Sequence, residues 1–255
     1  MFNPNPRNNY PYGNNPYNNR SQGDSPFGSR YQYQTLPYGY QGAGVSPSGL
    51  ISKVMGLLAF SFVFATLGTV VGLSIGLSYG TYWIVAIAGL VVLIALNMLI
   101  QKPGLNLFLL YLFTFLEGLA LGPLVGAYLS AGLGNILGQA FVITALTSLG
   151  LGLYSWTTKR DFSHLGDYLF FGVILLLVTG LIGIFFHSTL FALVISFFGV
   201  AIFSGYVLFY VQRAKYMADT LPNAIGLTVS IFITVLNLFL YILQILSIMS
   251  GNRRR

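Results

Sequence analysis

Seven long apolar stretches, at about 51–78, 81–100, 105–129, 133–156, 168–186, 189–210 and 224–249, dominate the 255-residue chain. Each reaches or exceeds the roughly 20 residues that carry a helix across a bilayer. Lipid offers no partner to a backbone amide, so a spanning segment is either a helix or a strand of a closed barrel. Barrel strands alternate polar and apolar residues, whereas the run from Val173 to Val178 is apolar throughout. The pattern therefore predicts an all-α polytopic membrane bundle of seven transmembrane helices joined by short connections.

Composition agrees. Only 7% of residues are charged and 55% are hydrophobic, with a mean hydropathy of +0.75. A water-soluble domain carries about 25% charged residues, so a soluble enzyme is excluded. The net charge of +7 does not indicate nucleic acid, because the basic residues are scattered between apolar runs rather than gathered on one face. With no cysteine there is no disulfide framework, thiol nucleophile or cysteine-based zinc site. His164 and His187 are too few and too far apart to suggest a metal cluster. No cofactor is implied.

Three regions follow. Residues 1–47 repeat Asn, Pro, Tyr and Gly and lack the aliphatic residues to offset the entropy of ordering, so a disordered cytoplasmic tail is expected. Residues 48–250 form the transmembrane domain, and 251–255 a short basic tail. Arg7, Arg20, Arg30, Lys53, Lys102, Lys159, Arg160, Arg213 and Lys215 all fall on one side of the seven-span arrangement, while the opposite loops at 78–81, 130–133 and 187–188 hold no Lys or Arg. The positive-inside rule then puts the N-terminus in the cytoplasm, and short loops without sorting signals suggest a bacterial inner (cytoplasmic) membrane. Tyr79, Tyr82 and Trp83 suit an outer aromatic anchor. A full seventh crossing would bring Arg253, Arg254 and Arg255 out on the far side; the absence of Gly and Pro from 231–246 favours that crossing over a re-entrant hairpin.

Small residues mark close packing. Gly68, Gly72, Gly76 and Gly80 recur every fourth residue on the first span, as do Gly118, Gly122 and Gly126 on the third. Such ridges let backbones approach where no hydrophobic effect drives helices together, and packing inside one monomer is the expectation. Pro123 should kink or loosen the third span one turn earlier.

Polar side chains within the spans are the candidates for function. Glu117 is central in the third span, where an acidic or basic side chain costs about 2.5–3.5 kcal/mol on insertion scales. An interior position, protonated or hydrogen-bonded, lowers that cost, and such residues mark ion or proton paths or structural hydrogen bonds. On the seventh span Ser230, Thr234, Asn237, Tyr241 and Gln244 share one helical face, too polar for lipid. That face predicts a last helix held within the bundle, turned toward spans three and six, with Asn237 close in depth to Glu117. Tyr206, Tyr210 and Arg213 form a similar line on span six. Enzyme signatures such as HExxH, GxSxG, a P-loop or paired intramembrane acids are missing, so no enzymatic activity and no catalytic residue are expected.

Three motifs carry a family resemblance: Glu117-Gly118-Leu119-Ala120-Leu121-Gly122-Pro123, the loop Asp161-Phe162-Ser163-His164-Leu165-Gly166, and Asn237-Leu238-Phe239-Leu240-Tyr241. In order and spacing, over about 48–250, the chain resembles the Bax inhibitor-1 family. The resemblance implies seven spans with the last one central. It further implies a pH-sensitive calcium leak, or in another branch a regulator of a membrane-anchored AAA protease, or in eukaryotes protection against cell death. Relatives of the leak type carry one aspartate in span six and a second three residues before the span-seven Asn; here Tyr210 and Thr234 stand at those positions. Two functional readings stay open: a leak pathway for calcium or another cation with Glu117 in the interior, and a non-conducting regulator bound to a membrane protease or other membrane partner.

Overall fold

A computed structural model describes residues 47–77, 79–183, 185 and 188–252. The expectations for the N-terminal tail, for His187 and for the terminal arginines lie outside these residues. The described chain is helical: α1 Pro47–Ser74, α2 Tyr79–Leu99, α3 Leu105–Ser130, α4 Gly134–Thr157, α5 Leu165–Gly183, α6 Thr189–Ala214 and α7 Leu221–Asn252. All seven are long and apolar enough to cross a membrane, and no strand occurs among the described residues.

Local chemistry sets the ends. Pro47 opens α1, where its fixed φ suits a first turn and its missing N–H costs nothing. α1 and α3 close with the same device. Gly76 (φ 60°) and Gly132 (φ 70°) adopt the left-handed region. The amide of Leu77 then returns to the Gly72 carbonyl (3.4 Å) and that of Leu133 to the Tyr128 carbonyl (2.8 Å). These bonds satisfy carbonyls that a helix end leaves open. Ser188 caps α6 by accepting the Phe191 amide at 3.3 Å.

Packing is led by α1 against α3. A Cβ on Gly118 would lie 1.9 Å from the Ala65 carbonyl oxygen, and one on Gly68 would lie 2.1 Å from that of Phe115. The backbones therefore touch, and Thr69 Oγ1 crosses the seam to the Gly118 carbonyl at 2.9 Å. The ridge expected on the first span is shorter than four glycines, because Gly76 ends α1 and Gly80 belongs to α2. α3 runs unbroken through Pro123. The proline leaves the Leu119 carbonyl without its helical donor, and that oxygen faces Gly72, 2.7 Å from where a Cβ would stand. Pro123 and Gly72 thus accommodate each other across the seam.

α7 is the central element, flanked by α1, α4 and α6 and touching α3. It is a single helix of 32 residues, about 48 Å long at 1.5 Å per residue, without the break a re-entrant hairpin requires. α2 packs chiefly on α3 and α5 on α6, leaving both at the rim. Ile136, Ala140, Leu176, Phe203, Leu238, Ile242 and Leu243 form a buried core shared by α4, α5, α6 and α7.

Candidate functional site

Glu117 and the polar line of α7 occupy different seams. The Glu117 carboxylate lies over Gly89 of α2, where a Cβ would come within 3.2 Å of its Oε1. It is half-buried, and no hydrogen bond or ion pair joins it to another described residue. Gly89 supplies the space: any larger side chain would press on the carboxylate. The bundle does not bring Glu117 into hydrogen-bonding contact with Asn237. The Asn237 amide instead donates to the Ile233 carbonyl of its own helix at 2.8 Å.

The rest of that line behaves likewise. Thr228, Ser230 and Thr234 each donate to the carbonyl four residues earlier, at 2.7, 3.0 and 2.7 Å. Such back-bonding lets hydroxyls sit inside a membrane bundle without a partner helix. Tyr241 faces α6. Gly199 lies beneath its ring, where a Cβ would be 2.5 Å away, and Phe203 stacks on it at 5.8 Å between centroids. The column continues through Tyr206 (6.1 Å from Phe203) and Tyr210 (5.4 Å from Tyr206). Arg213 ends it with its guanidinium 5.8 Å from the Phe209 ring. The structure therefore gathers Tyr206, Tyr210 and Tyr241 into one aromatic column and sets Glu117 apart on the α2 side of α3.

The loop motif has a mechanical explanation. Asp161 accepts the Ser163 amide at 2.9 Å. That bond, then a second one from the Ser163 side chain, hold its carboxyl below the usual aspartate value. Gln212, 5% exposed, grips the loop from α6. Its Oε1 accepts the Phe162 amide and its Nε2 donates to the Arg160 carbonyl (2.9 Å). The Leu165 amide returns to the Phe162 carbonyl at 3.0 Å, and Gly166 seats the Phe209 ring, 3.0 Å from where a Cβ would be. Beside it Lys215 donates to the Ser155 carbonyl at 2.6 Å while Ser155 Oγ donates to the Leu208 carbonyl at 2.7 Å. Partial burial lowers the Lys215 ammonium from its usual value, and its Nζ stands 5.4 Å from the Trp156 ring. Sequence reasoning missed Gln212, Ser155 and Lys215 as the latch between α4 and α6. A glutamine at the polar end of an apolar span, beside Arg213, was the available signal.

At the other end of the bundle Tyr82 lies edge-on to Trp83 (5.3 Å), and Trp83 is 65% exposed; the Tyr79 side chain lies outside the described residues. Among the described residues no three His, Asp or Glu side chains come together to hold a metal.

Comparison with known proteins matches residues 48–251 of the chain to a family profile described as "Inhibitor of apoptosis-promoting Bax1". A protein of Vibrio cholerae described as an uncharacterized membrane protein is 34% identical over 197 residues, 77% of this chain and 87% of its own length. A Helicobacter pylori protein is 36% identical over 195 residues, 75% of this chain and 83% of its own. A vaccinia virus protein named Golgi anti-apoptotic protein is 31% identical over 210 residues, 78% of this chain and 84% of its own.

Proposed function

The chain belongs to the Bax inhibitor-1 family of multi-pass membrane proteins, and from that premise we propose that it is a cation leak pathway in which Glu117 is the site that attracts the ion. One observation carries the reading: a carboxylate deep in a membrane-spanning helix that no other described residue neutralises or hydrogen-bonds. A purely structural glutamate would tie two helices together, and this one does not. An intramembrane acid of this kind marks an ion or proton path by default. The path follows the α2–α3 seam, where Gly89 leaves room beside the carboxylate, rather than the face of α7. Calcium is the cation the family resemblance suggests, and a bacterial cytoplasmic membrane with the N-terminus inside is the setting that the basic residues support.

Liposomes loaded with a calcium-sensitive dye test it. Wild-type protein should leak about tenfold faster than Glu117→Gln, equivalent to about 1.4 kcal/mol at the rate-limiting position. Equal rates across pH 5 to 8 would remove Glu117 from the pathway.

A second reading rests on Tyr210 and Thr234. With a stacked tyrosine pair and a back-bonded threonine at the positions where the resemblance puts the acids of leak-type relatives, this chain lacks those paired carboxylates, which suits a non-conducting regulator of a membrane-anchored protease. Cross-linking in native membranes should then recover a protease at the loop held by Gln212; recovery of no partner there would sink that reading.

A further inference from the structure

A cavity of about 600 Å³ opens at the end of the bundle where α3 and α7 finish and α6 begins. Its walls come from α3 (Leu124, Tyr128), the end of α5 (Gly183), the start of α6 (Thr189, Ala192) and α7 (Leu243, Gln244, Ser247). The described lining is mixed. Ser188, Thr189, Gln244, Ser247 and the Tyr128 hydroxyl supply polar atoms, and Leu124, Ala192, Leu240 and Leu243 supply an apolar wall. None of the described lining residues carries a charge.

Gln244 is a polar group that this site leaves open. On the polar line of α7, Thr234 and Asn237 bond to their own helix, and Ser247 is hydrogen-bonded to the Tyr128 hydroxyl. The Gln244 side chain is exposed and joined to no other described residue. An amide with both donor and acceptor open beside an apolar wall favours a ligand that supplies neutral oxygens. The absence of charge among the described lining residues disfavours a cation, a phosphate or a carboxylate as the group held there. Ligand pockets of about 300–1,000 Å³ take molecules of drug size, which here corresponds to one acyl chain with its ester group.

We propose that this cavity binds an acyl chain of a membrane glycerolipid, with the ester carbonyl hydrogen-bonded by Gln244 and the chain laid against Leu124, Ala192, Leu240 and Leu243. Bilayer lipid is the amphiphile that surrounds membrane-spanning helices at high concentration, and its ester groups join a neutral carbonyl to an apolar chain, the pairing that the described lining offers. Binding here is independent of whether the α2–α3 seam conducts.

The test uses full-length protein in vesicles of phosphatidylcholine containing a small fraction of diazirine-labelled phosphatidylcholine, ester-linked or ether-linked. After illumination, peptide mass spectrometry compares adducts on 240–248 with those on the lipid-facing surface of α2 around Ile87 and Leu90. The expected result is ester-probe labelling at 240–248 at least threefold above the α2 reference, and about threefold above the ether-linked probe, the size of one neutral hydrogen bond. Ala192→Trp, which fills the cavity, should bring labelling to the α2 level. Gln244→Leu should erase the preference for ester while leaving the fold intact. Labelling no higher than on α2, or unchanged in Ala192→Trp, overturns the site; if that variant does not fold, an ester preference that survives Gln244→Leu overturns the assignment.

Discussion

At Gly118 a single hydrogen separates a sealed helix pair from a steric collision. A methyl group there would fall 1.9 Å from the Ala65 carbonyl oxygen, a backbone atom that cannot move without moving α1. Gly118→Ala is expected to force α1 and α3 apart, at about the 1–3 kcal/mol of an overpacked core or more. Gly138→Ala on α4, where nothing lies within 4 Å, should stay within about 0.5 kcal/mol. Heating the two variants in detergent and measuring the surviving monodisperse fraction checks the contrast. Spacing alone exposes the role of Gly118 and Gly122, since small residues four apart on an apolar helix have few other uses. Spacing does not show which way Glu117 points. α3 has too few polar residues to mark one face, and the position of Gly89 on a different helix reveals the seam that Glu117 occupies. Tyr210 was legible as a departure from the family pattern, but its stacking on Tyr206 was not.

Between elements, the decisive contact is one side chain from α6 gripping a loop. Gln212 engages both a donor and an acceptor of the 160–162 backbone. Gln212→Ala leaves the Phe162 amide and the Arg160 carbonyl without those partners, a loss of about 1–3 kcal/mol where they stay shielded from water. Faster hydrogen exchange confined to 160–163, with the spans unaffected, is the expected readout; exchange unchanged from wild type would mean that the loop holds itself. The helices themselves were largely visible in the sequence. The spans at 105–129 and 133–156 compare with Leu105–Ser130 and Gly134–Thr157. The first apolar stretch ends at 78, past the helix end at Ser74, because apolar residues continue beyond the turn that Gly76 imposes. The sixth runs to Ala214 rather than 210 because helix continues through Gln212 and Arg213, which hydropathy discounts and the latch requires.

For the whole molecule, the described basic residues sit at the ends of the helices that alternate crossings bring to one face: Lys53 at the start of α1, Lys102 after α2, Lys159 and Arg160 after α4, Arg213 and Lys215 at the end of α6. Lys53 reaches Asp219 across that face at 2.9 Å, and with side chains 48% and 27% exposed the pair contributes little to stability. The native chain has no cysteine, so single substitutions report orientation directly. A membrane-impermeant maleimide added outside intact cells should label Ala131→Cys and spare Lys159→Cys; the reverse pattern would invert the topology. The α1–α3 seam also has a consequence for how the protein is made. A chain emerges N-terminus first, and the helix that needs α1 most is not the next one but the one after it. During synthesis α1 must remain in the membrane with its glycine ridge unmatched while α2 is inserted, and the first tight backbone contact forms only once Gly118 and Gly122 have entered the bilayer. A nascent chain halted before α3 would expose that ridge to lipid and to other chains, which makes the interval between the first and third helices the vulnerable stage of its biogenesis.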